Sequence, residues 1–138
     1  MYDLPLSSLL VAGGGLGHLA LAIGSIAIPR VLNWKAETDR LGPLTRQVFW
    51  TYAYYIWATN IAFGLLSLFF CSELSDGSPL SRAIAAFIAI YWAARIGVQC
   101  FYFDRASAPP GALFKLAEVG LFLLFGYMTA VYAWVALG

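Results

Sequence analysis

Four long apolar stretches dominate the sequence and limit what the chain can fold into. They cover residues 6–28, 48–71, 80–103 and 112–137. A helix rises about 1.5 Å per residue, so about 20 apolar residues cross the hydrocarbon of a bilayer. The composition agrees, since 62% of the residues are hydrophobic and 11% are charged, against about 25% charged in soluble domains. We therefore predict an all-α integral membrane protein, one domain over residues 1–138, folded as an up-down bundle of four transmembrane helices.

The connections between the predicted spans are short. The segment "RVLNWKAETDR", residues 30–40, mixes charges of both signs with apolar side chains, which predicts a short helix lying in the membrane interface between spans 1 and 2. We expect Pro29 to close the first span and Pro43 to lie in the first turn of the second. The residues before the first span include Asp3 and no basic residue, so we expect a retained helix rather than a cleaved signal peptide.

Basic residues are distributed unevenly between the two sides of the predicted bundle. The side that holds connections 1–2 and 3–4 carries Arg30, Lys35, Arg40, Arg46, Arg105 and Lys115, whereas the other side carries only Arg82. The positive-inside rule then predicts a multi-pass protein of a bacterial inner membrane with both termini outside, in the periplasm. A net charge of +1 argues against nucleic acid as a partner.

Polar residues inside the predicted spans are few, and two of them are charged. Arg95 lies in the third span and Glu118 in the fourth, at comparable depths if these helices are antiparallel neighbours. A charge at the centre of a span costs roughly 2.5–3.5 kcal/mol, and it usually faces a partner or a cavity. We therefore expect an Arg95–Glu118 ion pair that locks the two helices together. A pairing of Glu118 with Lys115 and a ligand pocket at Arg95 are the alternatives.

Polar and aromatic residues of three spans fall at overlapping depths and form a candidate ligand site. Trp92, Arg95 and Gln99 share one face of the third span at positions i, i+3 and i+7, where an indole beside a guanidinium suits a cation–π contact. Trp57 lies too deep in the second span for a headgroup-level aromatic belt. The predicted ligand-binding residues are Trp57, Asn60, Trp92, Arg95, Gln99 and Glu118.

The first span carries a stripe of small residues at helical spacing: Gly13, Gly17, Ala20 and Gly24. Membrane helices associate by close packing, so this stripe is predicted to be a helix-packing face. His18, the only histidine, lies beside it and is interpreted as a hydrogen-bonded contact between helices. No group of Asp, Glu, His or Cys has the spacing of a metal site, and we expect neither a metal nor a cofactor.

The four-span layout with outward termini, together with "YWAAR" at residues 91–95, resembles the membrane-associated eicosanoid and glutathione metabolism family. The resemblance implies a trimer that binds glutathione between subunits, with Arg95 stabilising a thiolate. In that family an Asn in the second span is followed three residues later by Glu, whereas here Asn60 is followed by Phe63.

Three functions follow from these observations. The scarcity of titratable residues favours a non-catalytic structural or accessory subunit of a membrane complex. The polar residues at overlapping depths favour a module that binds or transports a lipid, quinone or other amphiphile in an intramembrane pocket. The resemblance favours a glutathione-type membrane enzyme. In each case we expect membrane lipid as a partner, and a homo-oligomer or a larger membrane complex.

Overall fold

The computed structural model describes residues 5–103 and 110–138, and in these ranges the chain is helical with no strand. The prediction of an all-α fold is confirmed. The helices are α1 (Leu6–Ser25), α2 (Ile28–Val31), α3 (Trp34–Asp39), α4 (Pro43–Phe69), α5 (Cys71–Leu74), α6 (Pro79–Phe101) and α7 (Ala112–Leu137).

Three helical segments are long and apolar enough to cross a membrane. They are Leu6–Val31, Pro79–Phe101 and Ala112–Leu137, and at most 28% of the most apolar stretch of each is buried within the chain. Such exposure of apolar helices supports the prediction of a membrane protein. The fourth long helix, α4, has 27 residues. The mean hydropathy of α4 is lowered by its tyrosines, its tryptophans and Asn60. By length and composition alone, α4 is therefore not among the candidate membrane spans.

Several helix boundaries in the structure differ from the predicted ones. Pro29 does not end the helical structure, which continues through α2 to Val31 after a turn at residues 26–27. A proline is tolerated there because the first turn of a helix has no acceptor for its missing N–H. Pro43 occupies the first turn of α4, as predicted, so that helix begins five residues before the predicted span. Most of the connection predicted at residues 104–111 lies outside the described residues.

The long helices form two antiparallel pairs. In the first pair, the indole Nε1 of Trp57 on α4 donates to the carbonyl of Ala22 on α1 at 2.9 Å. Gly15 and Gly64 let these two helices approach, since a Cβ on Gly15 would lie 2.8 Å from the carbonyl oxygen of Gly64. In the second pair, the side chain of Arg82 on α6 donates to the carbonyls of the last turn of α7, at 2.8 and 3.1 Å.

Contacts between the two pairs lie toward one end of the bundle. The hydroxyl of Tyr127 donates to the carbonyl of Leu10 at 2.8 Å, and the ring of Phe63 lies 5.6 Å from that of Tyr91. We call this end the closed half: residues 6–18 of α1, 60–69 of α4, 79–92 of α6 and 125–137 of α7. The rest of these four helices is the open half, toward the α1–α4 and α6–α7 connections.

The predicted glycine stripe is only partly used within the chain. A Cβ on Gly13 would lie 2.7 Å from the hydroxyl of Tyr127, and one on Gly17 would lie 2.9 Å from Leu124, so both glycines pack against α7. Ala20 is exposed. Gly24 is exposed too, and a Cβ there would meet nothing within 4 Å among the described residues. The tightest approach to α4 instead uses Gly15, which lies two residues from both Gly13 and Gly17 and therefore on the opposite side of α1 from the predicted face. This is possible because α1 is flanked by helices on two sides.

Candidate functional site

The polar core of the closed half is built around His18, whose side chain is fully buried. Its Nδ1 is 2.7 Å from the carbonyl of Gly14, one turn earlier in α1, and its Nε2 is 2.8 Å from the indole Nε1 of Trp92 on α6. An indole nitrogen only donates, so Nε2 accepts and Nδ1 carries the hydrogen that is donated to Gly14. Both ring nitrogens are satisfied, and the interpretation of His18 as an interhelical contact is confirmed.

A second buried bond lies close to this histidine. The hydroxyl of Tyr132 on α7 is 2.5 Å from that of Ser67 on α4. Both side chains are fully buried, and the Tyr132 ring lies edge-on to the His18 ring at 5.8 Å. Buried polar groups in a membrane interior need such partners, and here each bond also joins two helices. The closed half therefore uses its polar side chains for helix packing.

The open half differs from the closed half, because almost none of its residues is buried. In the four long helices the buried residues of the closed half are Ser8, Val11, Gly14, Gly15, His18, Asn60, Gly64, Ser67, Ser81, Ala85, Ile88, Ala89, Trp92, Phe125, Met128, Val131, Tyr132 and Val135. In the open half only Ala22 is buried among the described residues of these helices. Toward this end of the bundle the other described residues of the four helices are half-buried or exposed.

Arg95 lies at the boundary of this open half, half-buried on α6. Its guanidinium lies over two aromatic rings, 4.8 Å from the centre of Phe103 and 5.2 Å from that of Phe125. One Nη1–H donates to Oε1 of Gln99 at 3.1 Å. Gln99 and Phe103 come four and eight residues later in the chain, so the side chain is extended toward the open end. Trp92 stacks on the same Phe125 ring at 4.9 Å, so Trp92 and Arg95 do share a face.

The predicted ion pair between Arg95 and Glu118 is not formed. The guanidinium has Gln99 and two aromatic rings as its described neighbours, and the ion pair that the described residues do form joins Arg46 to Asp39 at 3.8 Å. Glu118 is half-buried in a shallow groove of about 210 Å³ on α7, which Lys115 also lines. Equal depth on two antiparallel helices fixes the height of two side chains but not the direction in which each one points.

Asn60 is the residue of α4 at which the closed half borders the open half. It is 6% exposed, and its Oδ1 has no hydrogen-bond partner in the part of the chain that the structure describes. A buried acceptor without a donor is unfavourable by about 1–3 kcal/mol, so a donor from elsewhere would stabilise it. Trp57, one turn away, has its indole N–H engaged by α1 and is 37% exposed.

The structure therefore divides the six predicted site residues. Trp92 belongs to the closed core, Trp57 joins α4 to α1, and Glu118 lies on the α7 groove. Arg95 and Gln99 are bonded to each other. The sequence reasoning missed Phe103 and Phe125 as neighbours of Arg95. Phe103 lies two residues beyond the end of α6, and Phe125 lies on α7.

Neither a protein-family profile nor a curated protein nor a solved structure matches this sequence.

Proposed function

We propose that the chain is a four-span membrane protein that binds a membrane amphiphile, whose polar head lies between α4 and α6 in the open half. The observation that carries this proposal is the half-buried guanidinium of Arg95, directed toward the open end beside a surface that the described residues leave uncovered. A charge inside a span usually marks a ligand path or a cavity. The apolar side chains around it suit acyl chains.

In this proposal α4 is the fourth span. It runs antiparallel to α1, and the contacts of Gly15 with Gly64 and of Ala22 with Trp57 keep the two helices together over about 10 Å of their length. The aromatic cluster of Trp34, Phe49 and Trp50, with ring centres 5.0–5.9 Å apart, then lies at headgroup depth, where α3 would be the interfacial helix. The open half faces the cytoplasm, and both termini lie outside.

The topology is tested with cysteines on either side of α4. Starting from a variant with Cys71 and Cys100 replaced by serine, Arg40→Cys and Glu73→Cys are each labelled with a membrane-impermeant thiol reagent. We expect Glu73→Cys to react on intact spheroplasts and Arg40→Cys to react only after permeabilisation. Equal labelling of both from one side would mean that α4 does not cross.

The binding proposal is tested by extracting the amphiphiles that remain with the purified protein and identifying them by mass spectrometry. We expect one defined class of lipid or quinone in a fixed molar ratio. Arg95→Gln should lose it, whereas Arg40→Gln, which removes an exposed charge from a connection, should keep it. Equal retention by both variants would show that binding does not use Arg95.

A structural or accessory subunit is the second candidate, and the internal hydrogen bonds of the closed half favour it, because they engage His18, Trp92, Ser67 and Tyr132 in packing. This function predicts that the chain is monodisperse only together with a larger membrane complex. The glutathione-type enzyme is the third, and it predicts that immobilised glutathione retains the wild type but not Arg95→Gln.

A further inference from the structure

We infer that the exposed face of α4 pairs with the same face of a second copy of this chain, as two parallel helices. This inference goes beyond the proposed function, because it concerns a protein partner and not the amphiphile. It uses the proposed position of α4 in the membrane. Three features of the exposed face carry it: the spacing of its residues, their hydroxyl groups and their lack of charge.

Exposed residues follow one another along a single face of α4 over almost its whole length. They alternate at intervals of four and three residues, the spacing that brings two parallel helices together along a shared line of contact. The pattern continues for more than three heptads, which is the length typical of paired helices. We call these eight exposed residues the α4 seam: Leu44, Val48, Thr51, Tyr55, Ala58, Ala62, Leu65 and Phe69.

The buried face of α4 lies on the opposite side of the helix. Its buried residues are Asn60, Gly64 and Ser67. At about 100° per residue, their mean direction is roughly 180° from that of the seam. Gly64 packs on Gly15 of α1. The hydroxyl of Ser67 is bonded to that of Tyr132 on α7. The seam therefore faces away from the described helices of its own chain.

The exposed side of α4 carries hydroxyl groups, unlike the exposed sides of the other three long helices. Among the described residues of α1, α6 and α7, no exposed residue is a serine, a threonine or a tyrosine. Hydrocarbon offers a hydroxyl no hydrogen-bond partner, so exposure of a hydroxyl to lipid is unfavourable. Polar side chains instead hold membrane helices together. The exposed hydroxyl-bearing residues of α4 are Thr45, Thr51, Tyr52, Tyr54 and Tyr55.

The depth of two of these hydroxyl-bearing residues distinguishes them from a headgroup-level aromatic belt. Tyr54 and Tyr55 lie about 6–8 Å past Trp50 along the helix axis. Neither hydroxyl has a hydrogen-bond partner among the described residues. A second copy supplies one for Tyr55, because a parallel pair in register brings each seam residue against its own equivalent. A phenol both donates and accepts, so two facing Tyr55 hydroxyls satisfy each other.

The lack of charge on the seam favours a second copy over a different protein. Two copies have the same orientation in one membrane, so their α4 helices are parallel and equivalent residues lie at one level. Like charges at equivalent positions would repel each other. Within α4, which the structure describes in full, Arg46 is the only charged residue. It lies on the other side of the helix, where it forms the ion pair with Asp39. The seam can therefore face its own copy without repulsion.

The sizes of the seam residues suit close packing of two copies. Ala58 and Ala62, one turn apart near the middle of α4, let two backbones approach each other. Four aromatic side chains on or beside the seam are 63–75% exposed: Tyr52, Tyr54, Tyr55 and Phe69. An aromatic side chain buries about 150–250 Å², so these rings offer two copies about 800–1,300 Å². Specific interfaces bury about 1,200–2,000 Å² in total, and the aliphatic seam residues add to the area of the rings.

Disulfide cross-linking between copies, in isolated membranes treated with copper phenanthroline, tests the pairing. In a variant with Cys71 and Cys100 replaced by serine, Ala58→Cys and Ala62→Cys place a thiol on the seam. The matched control is Ile56→Cys, because Ile56 is 55% exposed at nearly the same depth but lies off the seam. For helix axes about 8–10 Å apart, equivalent Cα atoms are about 5–6 Å apart on the seam and about 11–13 Å apart at residue 56. A disulfide requires less than about 7 Å. We expect a linked dimer from both seam variants and none from Ile56→Cys.

The contribution of the hydroxyls is tested by the dissociation constant of the pair, measured by Förster transfer between two labelled copies in liposomes. Tyr55→Phe keeps the ring and removes the hydroxyl. The dissociation constant should rise by about 3- to 10-fold, the equivalent of one or two interhelical hydrogen bonds. The matched control is Tyr102→Phe, the same change at a side chain that is 82% exposed just after α6, and it should leave the constant unchanged.

The outcomes separate this inference from the proposed function. No dimer from either seam variant, or as much dimer from Ile56→Cys, would overturn the pairing, whereas the lipid retained through Arg95 is measured independently. Seam cysteines linked to a different membrane protein would overturn self-pairing and identify the interface of an accessory subunit. An unchanged dissociation constant in Tyr55→Phe would overturn the role of its hydroxyl. A seam-specific dimer without any retained lipid would support this inference and overturn the amphiphile site.

Discussion

Replacing Trp92 with phenylalanine is the sharpest test of the polar core. The change removes the indole N–H that donates to Nε2 of His18 and leaves that nitrogen with no donor at a fully buried site. An unsatisfied buried acceptor is unfavourable by about 1–3 kcal/mol, although interhelical hydrogen bonds in membrane proteins average only about 0.6 kcal/mol. The smaller ring also leaves space beside Phe125, which adds about 1 kcal/mol. We expect a total loss of about 2–3 kcal/mol in the free energy of unfolding.

Thermal unfolding in detergent, followed by circular dichroism, measures this loss. A loss of 1 kcal/mol lowers the unfolding midpoint by about 2–8 °C, depending on chain length, so the midpoint of Trp92→Phe should fall by about 10 °C. The matched control is Trp134→Phe, the same chemical change at a side chain that is 51% exposed, and its midpoint should change little.

A double-mutant cycle separates the hydrogen bond from the change in packing. His18→Leu removes the acceptor, so the double variant has neither a buried acceptor without a donor nor a donor without an acceptor. We expect it to be less destabilised than the sum of the single variants by about 0.5–3 kcal/mol. A coupling energy of zero, or a midpoint for Trp92→Phe equal to that of Trp134→Phe, would refute the reasoning.

Three further predictions concern packing and charge. Gly15→Ala should lower the unfolding midpoint by the equivalent of about 1–3 kcal/mol because its Cβ meets backbone of α4, whereas Gly24→Ala should leave the midpoint unchanged or raise it slightly. Tyr132→Phe should cost about 1 kcal/mol in the same assay, through loss of its hydroxyl bond. The backbone N–H of Ser78, at 2.8 Å, holds the pKa of Asp76 below its ordinary value. The ionised Asp76 carboxylate therefore stabilises the fold above the ordinary pKa, and this stabilisation is lost as pH falls through the lowered pKa. NMR titration of the Asp76 carboxyl measures the pKa. An Asp76→Asn variant should no longer show this loss of stability at low pH.

Hydropathy predicted most of the fold, because the length of an apolar run sets where a helix can cross a bilayer. It identified α1, α6 and α7 within a few residues. It placed the start of α4 too late, because the first turn of that helix after Pro43 contains polar and charged residues and hydropathy detects only the apolar run that follows. It ended the first helical segment too early, at Pro29, because the residue type alone does not tell whether a proline closes one helix or opens the next turn.

The candidate site was harder to predict, because it depends on which way each side chain points. Depth counting placed Arg95 and Glu118 at one level but could not show that Arg95 extends toward Gln99. The single histidine was correctly interpreted as an interhelical contact, yet nothing in the sequence singled out Trp92 as its partner over the other tryptophans. Asn60 was predicted as a ligand-binding residue from its polarity and depth, but its unsatisfied oxygen is visible only in three dimensions.

Photo-crosslinking tests the central claim most directly, since it reports where a bound lipid lies. A phospholipid that carries a diazirine on the acyl chain near the headgroup is added to the purified chain and irradiated, and the labelled peptides are mapped. The account predicts that label concentrates on α4 and α6 in the open half, on α6 between Arg95 and Phe101, and that Arg95→Gln removes it while Arg40→Gln does not. Label spread evenly over the exposed helix faces, and unchanged in Arg95→Gln, would contradict it.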